Sequence, residues 1–320
     1  MIREVVLDDW HDADHESIAR AAGEATNSTA LTIGLATREP PAKLRPLVTA
    51  STLTLADFPC EEREFVTVPD VPEALRALCD VTQRHPQASV VLGQLLRQTE
   101  QLTVLSGLAA EAAAYSMLLG GGEFAHWLAH RPAVRSSAPD EPVHLERNGD
   151  RLLVVLDDPR RRNALGARMR AALFEALEVA VLDDTIRQVE LSGAGTAFCS
   201  GGDLAEFGTA TDLVAAYLVR LDHAPWRLVD RVRDKVTVRI KGAAVGAGAE
   251  LAAFAGRVVA SPDAFFQLPE IGMGLVPGAG GTVSVPRRIG RWRAAWMMLT
   301  GTRVSATTAL RWGLADELSC

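Results

Sequence analysis

Two glutamates, Glu250 and Glu270, stand in two glycine-rich segments near the end of this chain. The first segment reads Lys241-Gly242-Ala243-Ala244-Val245-Gly246-Ala247-Gly248-Ala249-Glu250-Leu251. The second reads Leu268-Pro269-Glu270-Ile271-Gly272-Met273-Gly274-Leu275-Val276-Pro277-Gly278-Ala279-Gly280-Gly281-Thr282. A third, Ala197-Phe198-Cys199-Ser200-Gly201-Gly202-Asp203-Leu204, lies upstream. Surface exposure is the usual fate of a glutamate, but the apolar, glycine-rich flanks of this pair argue for enclosure. Two enclosed carboxyls in unlike environments can divide acid and base work between them. Small residues also let a ligand approach backbone N–H groups, and two N–H groups aimed at one oxygen stabilise charge that develops there. Cys199-Ser200-Gly201-Gly202 and Gly246-Ala247-Gly248-Ala249 are two such stretches. The second leads into a helix, whose N-terminal dipole favours the same charge. Ser200 has no His or Asp arranged near it in sequence, so a backbone role is favoured over a nucleophilic one. Cys199 reads as a small buried residue.

The elements that must hold these segments are clearest after residue 139. Val143-His144-Leu145-Glu146-Arg147 and Leu152-Leu153-Val154-Val155-Leu156 flank Asn148-Gly149-Asp150, which predicts a hairpin with an Asn-Gly turn. Residues 166–182 have the period of an amphipathic helix. Residues 187–193, 236–240 and 257–260 read as strands, and Glu250 begins or lies within the helix after the second. Strands alternating with helices predict an α/β fold built from crossover units. Before residue 139 no motif appears. Residues 29–37 and 47–55 read as strands, and 72–84, 88–100 and 102–130 as helices, the last broken at Gly120-Gly121-Gly122. The division is therefore a helix-rich α+β region over 1–138 and a second domain over 139–320, joined by the linker-like stretch from Arg131 to Asp140.

With 320 residues, 48% of them hydrophobic, the chain can bury a sizeable core. No apolar run long enough for a membrane helix and no signal-peptide pattern are present. Cys60, Cys79, Cys199 and Cys320 are scattered, which fits a reduced, cytoplasmic protein with neither disulfides nor a metal. A formal charge of −7 argues against nucleic-acid binding.

The three glycine-rich segments, in this order, resemble the crotonase (enoyl-CoA hydratase/isomerase) superfamily. The resemblance covers about 143–318. It implies a spiral of ββα turns and an acyl-CoA substrate, with coenzyme A entering as part of the substrate and no separate cofactor. It implies that Glu250 and Glu270 are the catalytic pair, holding the attacking water between them, with Glu270 donating the proton to C2. It implies an oxyanion hole made by the N–H groups of Ser200 and Ala247. It places Ala197, Gly201, Asp203, Leu204, Gly246, Pro277 and Gly278 at the substrate, Asp203 also ordering its own loop. The family's pattern of a proline, a short gap and Asn-Ala-Leu is matched at Asn163-Ala164-Leu165. Of the preceding Arg160-Arg161-Arg162, Arg162 is assigned to the CoA phosphates with the other two as alternatives. Phe207, Tyr217 and Trp226 are candidate walls of the acyl pocket or simply core. The activity implied is 2-enoyl-CoA hydration. Isomerisation, thioester hydrolysis, cofactor-independent oxygenation and a non-catalytic acyl-CoA-binding subunit are the alternatives. A homo-oligomer, trimer or hexamer, is implied as well. Family members continue past the point where this chain ends with a helical segment that covers the ligand. The expectation is that helices in 1–138, above all 102–130, take that place, since an uncovered core would expose a large apolar patch.

Overall fold

The computed structural model describes residues 1–132 and 139–319. The stretch 133–138, where the linker was expected, and Cys320 lie outside the described residues.

The chain opens with β1 (Ile2–Val6), α1 (His15–Asn27), β2 (Leu31–Ala36), α2 (Arg45–Ala50), β3 (Leu53–Ala56) and β4 (Phe65–Thr67). The four strands form one parallel sheet in the order β1-β2-β3-β4. Where the sequence suggested an α+β region, the strands alternate with crossover helices. The strand expected over 47–55 starts only at Leu53. Pro46 in the first turn, followed by Leu47 and Val48 buried on one side, makes the first half a short helix. Four helices follow: α3 (Val71–Arg84), α4 (Pro86–Thr99), α5 (Val104–Leu119) and α6 (Gly122–His130). Asp70 caps α3 through the Glu73 N–H, and Thr103 caps α5 through the Ser106 N–H. Pro86 starts α4 where His85 ends α3.

The second half begins with the antiparallel hairpin of β5 (Val143–Asn148) and β6 (Arg151–Leu156). Asn148 pairs with Arg151, so the turn is Gly149-Asp150, one residue later than expected. Gly149, at φ 64°, takes the left-handed position. There follow α7 (Ala167–Leu182), β7 (Gln188–Gly193), α8 (Leu213–Asp222), α9 (Pro225–Arg231), β8 (Val236–Ile240), β9 (Ala243–Val245) and α10 (Ala247–Ala252). The chain then runs through β10 (Arg257–Ala260), β11 (Phe265–Gln267), α11 (Gly281–Thr300), β12 (Val304–Ser305), α12 (Ala306–Trp312) and β13 (Glu317–Leu318). One sheet has the order β13-β10-β8-β7-β6-β5, parallel except for the hairpin. A smaller sheet has the order β12-β11-β9.

β8-β9-α10 and β10-β11-α11 are successive ββα turns, each placing one strand in either sheet. Two bridges, Leu165 with Gly202 and Cys199 with Ala244, extend the second layer to the earlier turns. These are the spiral turns that the resemblance implied. One apolar core spans residues on both sides of 138, from Leu31 and Leu92 through Phe198 and Phe266 to Leu314. Its seam is α11, which packs on α3, α4 and α5 as well as on α10. Gly290 interrupts α11 with φ 80° and ψ 152°. Immediately after this break, Arg291, Trp292 and Arg293 donate to backbone carbonyls of the first sheet and its loops. Among the described residues no single helix is long and apolar enough to cross a membrane.

Candidate active site

Gly246 makes the bend from β9 into α10, with φ 48° and ψ −124°. A side chain there would be strained at the backbone, and its β-carbon would lie 2.6 Å from Glu270 Oε1. The bend puts Ala247 at the first position of α10 and Glu250 one turn later, with Glu250 2% exposed. The Ala247 N–H meets no acceptor among the described residues, as expected for the first turn of a helix. Glu250 Oε2 accepts hydrogen bonds from the N–H groups of Ala279 at 2.7 Å and Gly281 at 2.8 Å. Glu270 opens the 3₁₀ turn after β11 and is buried, and its Oε2 has no hydrogen-bond partner among the described residues. Both glutamates face one cavity of about 430 Å³.

That cavity has an apolar end, formed by Leu119, Phe124 and Leu128 from α5 and α6 with Phe207, Val219 and Trp226. Its polar end carries Gly202, Asp203, Ala247, Gly278 and Ala279 beside the two carboxyls. Arg170, Arg220 and Tyr115 complete the wall, the Arg220 guanidinium lying 3.9 Å from the Tyr115 ring centroid.

A third carboxyl closes the site from the N-terminal region. Glu111 of α5 is 2% exposed. Its Oε1 accepts from the Gly280 N–H at 2.6 Å, and its Oε2 from the Thr282 N–H at 2.8 Å and the Thr282 hydroxyl at 2.7 Å. Three acidic groups thus lie close together in the interior, and burial disfavours the charge on each. Burial pushes Glu250 up to about 7, against the pull of the Ala279 and Gly281 N–H groups. Burial and then the Glu250 charge push Glu111 up to about 8. The same two causes hold Glu270 well above the ordinary carboxylate range. The unpartnered Glu270 Oε2 is the natural seat of a proton.

The residues assigned from sequence are met unevenly. Glu250, Glu270, Ala247, Asp203 and Gly278 line the cavity, as do the wall candidates Phe207 and Trp226; Tyr217 does not. Gly246 stands directly behind Glu270. Ser200 differs from its assignment. Its N–H donates to the Arg162 carbonyl at 2.9 Å, so it is already committed. On the same stretch Gly202 lines the cavity, and its N–H has no acceptor among the described residues. Ala197, Gly201, Leu204 and Pro277 shape the loops without forming the cavity wall; the Ala197 carbonyl accepts from Asn163 Nδ2 at 2.9 Å. Arg162 is exposed, with φ 51°, and lines neither this cavity nor the one beside it. Its neighbour Arg161 holds Asp203 with both guanidinium nitrogens and lines a second cavity beside the first. Cys199 is inert: burial pushes its thiol up to about 12.

Sequence reading passed over Glu111, Tyr115, Arg170 and Arg220, and set aside His223, which could point at the acyl chain, as a lone histidine; all five lie at or against the cavity. A signal existed for the first two. Glu111 is the one charged residue of Val104–Leu119, and Tyr115 follows one turn later on the same face.

The Enoyl-CoA hydratase/isomerase family profile matches residues 146–319, and the chain belongs to that family. It is 36% identical over 181 residues to the Bacillus subtilis protein YngF, covering 56% of this chain and 70% of YngF. It is 35% identical to the 2,3-dehydroadipyl-CoA hydratase of Escherichia coli, covering 52% of this chain and 65% of that enzyme. The solved enoyl-CoA hydratase of Thermoplasma volcanium superposes with a TM-score of 0.52 at 33% identity, over 56% of this chain and 72% of that one. This chain spans about two thirds of these relatives' lengths, and the part that the family profile matches begins after α6.

The bend at Gly246 gives a first expected result. Gly246→Ala lowers stability by about 1–3 kcal/mol, the usual cost of a residue forced into a left-handed backbone. It also displaces the Glu270 carboxyl, so thermal melting and turnover fall together.

Proposed function

We propose that this chain is an acyl-CoA enzyme that adds water across the double bond of a 2-enoyl-CoA. The observation that carries the reading is one cavity holding two buried carboxyls with unlike partners. Glu250 Oε2 is held by two N–H donors, which favour a carboxylate. Glu270 has an oxygen with none, which favours a carboxylic acid. In the reaction Glu250 takes a proton from water as its oxygen bonds to C3. The electron pair of the double bond moves towards the thioester and develops negative charge on its carbonyl oxygen. The Ala247 N–H at the start of α10 stabilises that charge, with the 200–202 stretch as the second wall. Glu270 delivers a proton to C2, and the proton gained by Glu250 returns to Glu270 through solvent. Hydration is redox-neutral and its protons balance within the pair, so the step asks for no cofactor beyond the coenzyme A of the substrate.

The sign of the pH dependence follows. The base must be ionised, so turnover rises with pH through about 7, the value to which burial brings Glu250. The acid must hold its proton, so turnover falls again as pH rises through the range of Glu270, which burial holds well above that of an ordinary carboxyl. The test is the decay of the conjugated enoyl-thioester absorbance with crotonyl-CoA and a longer enoyl-CoA. Decay with a bell-shaped pH profile supports hydration. Binding of the CoA ester without decay would overturn it. Product analysis with a 3-enoyl-CoA separates hydration from isomerisation, which the same pair can perform by returning a proton to a different carbon.

We further propose a homo-oligomer in a reducing compartment. Val214, Leu218 and Val219 leave α8 with an exposed apolar face, and Cys60, Cys79 and Cys199 are unpaired.

A further inference from the structure

Four consecutive backbone N–H groups lead into α11, and two carboxylates share them alternately. Ala279 and Gly281 donate to Glu250, while Gly280 and Thr282 donate to Glu111. The first N–H groups of a helix have no partner within it, and its dipole favours negative charge there. One carboxyl comes from the family's own α10. The other comes from α5, which lies before the residues that the family profile matches.

We propose that Glu111 is a positioning residue for the acid–base pair: it fixes the 279–282 turn to which Glu250 is bonded. The N-terminal region then does more than cover the cavity, because it supplies half of the acceptors that hold the catalytic turn in place. Thr282 reinforces the arrangement. Its hydroxyl donates to Glu111, and its carbonyl accepts from the Thr99 hydroxyl of α4 at 2.7 Å. The charged and titratable groups near Glu111 are Glu250 of α10, Glu270 of the 3₁₀ turn and Tyr115 of its own helix, and beyond them Arg170 of α7 faces Tyr115 while Arg220 of α8 faces Tyr115 and Glu250. Arg220 stacks on Tyr115 and favours the charged form of Glu250. The like charge of Glu250 disfavours the charged form of Glu111.

The inference rests on Glu250 and Glu270 being the acid–base pair, and its test keeps the two readings apart. Infrared titration of buried carboxyl groups needs no turnover. In the full chain, Glu111→Gln is expected to remove one such group and to move the Glu250 titration to higher pH, because a loosened 279–282 turn no longer holds the Ala279 and Gly281 N–H groups that favour the charged form of Glu250. Kinetically, kcat falls by about 100-fold, as for a misplaced catalytic group. KM stays close to its parent value, and the acid limb moves in the same direction as the titration. The glutamine amide contributes to the loss, because its NH₂ faces donors where an acceptor is needed. Thr282→Val keeps every backbone donor and removes one hydroxyl. It loosens the hold of Glu111 on the turn by one hydrogen bond and shifts both readouts the same way by less.

A folded Glu111→Gln protein with an unmoved Glu250 titration and an unmoved acid limb would overturn the proposal. If that variant does not fold, unmoved readouts in Thr282→Val would do the same. A parent enzyme that fails to hydrate enoyl-CoA would leave the infrared result to decide the role of Glu111.

Discussion

Glu270→Gln is expected to lower turnover of an enoyl-CoA by about 10²–10⁴-fold, the range that general acid–base catalysis contributes. Binding of the CoA ester, read by calorimetry, stays near its parent value. Glu270 Oε2 has no hydrogen bond to lose, so the amide replaces a neutral acid of the same shape without stranding a donor. What disappears is the transferable proton. Glu250→Gln has the same kinetic consequence for a different reason. An amide oxygen still accepts from Ala279 and Gly281, so the turn keeps its bonds, but the base is gone.

The two variants also change how stability depends on pH. A carboxyl whose pKa is raised on folding binds more protons folded than unfolded between its unfolded and folded values. Stability therefore falls as pH rises across that window. For Glu250 the window runs from the usual value of about 4.3 up to about 7. For Glu270 it runs from the same value to a range well above that of an ordinary carboxyl. Glu270→Gln is then expected to melt with the parent at pH 4 and above the parent at pH 8. An equal melting temperature at pH 8 would mean that Glu270 is not held protonated, and the assignment of acid and base would fail.

Much of the site was legible in the chain because small residues there leave few conformations to choose from. Gly246 before Ala247, with Glu250 three residues further on, encodes a bend, a bare helix N-terminus and a carboxyl in its first turn, and the structure contains all three. The order of the glycine-rich segments carried the ββα turns for the same reason. What the chain did not display is set by tertiary contact. Ser200 was assigned as a hydrogen-bond donor to ligand, but nothing local says that the Arg162 carbonyl, held in a left-handed turn, lies 2.9 Å from its N–H. Arg162 was chosen among three arginines; which guanidinium turns inward depends on Asp203, 42 residues away from Arg161. The segment at 47–55 shows the limit of alternation as a signal. Leu47 and Val48 are buried whether the backbone is extended or helical, and Pro46 decides for the helix. Glu111 is the most instructive. A lone carboxyl in an alanine-rich helix reads as a solvent-facing residue until the partner loop, some 170 residues later, is placed against it.

Removing residues 1–138 is expected to give a fragment that aggregates and does not turn over substrate. The reason lies in α11, buried along most of its length against both halves of the chain. Arg293 is 4% exposed and donates to the carbonyls of Glu61, Glu62 and Phe65. Arg291 donates to Thr49 and Ser51, and the Trp292 indole to Thr49. None of these acceptors survives the deletion, and neither does Glu111. Each donor then either stays enclosed without a partner, at about 1–3 kcal/mol apiece, or reaches water by pulling α11 off the core. Against a total stability of about 5–15 kcal/mol, a handful of such losses is decisive. The alternative of simple exposure is no better, because Val283 is fully buried in the intact chain and lies within packing distance of Gly107 in α5. The cavity loses the wall formed by Tyr115, Leu119, Phe124 and Leu128 at the same time. Size-exclusion chromatography and a melting curve on residues 139–320 decide the matter. A monodisperse fragment that melts cooperatively and hydrates crotonyl-CoA would show that the N-terminal region is an accessory to the site. Aggregation, reversed when residues 1–138 are co-expressed as a separate chain, would establish that the two parts build one core.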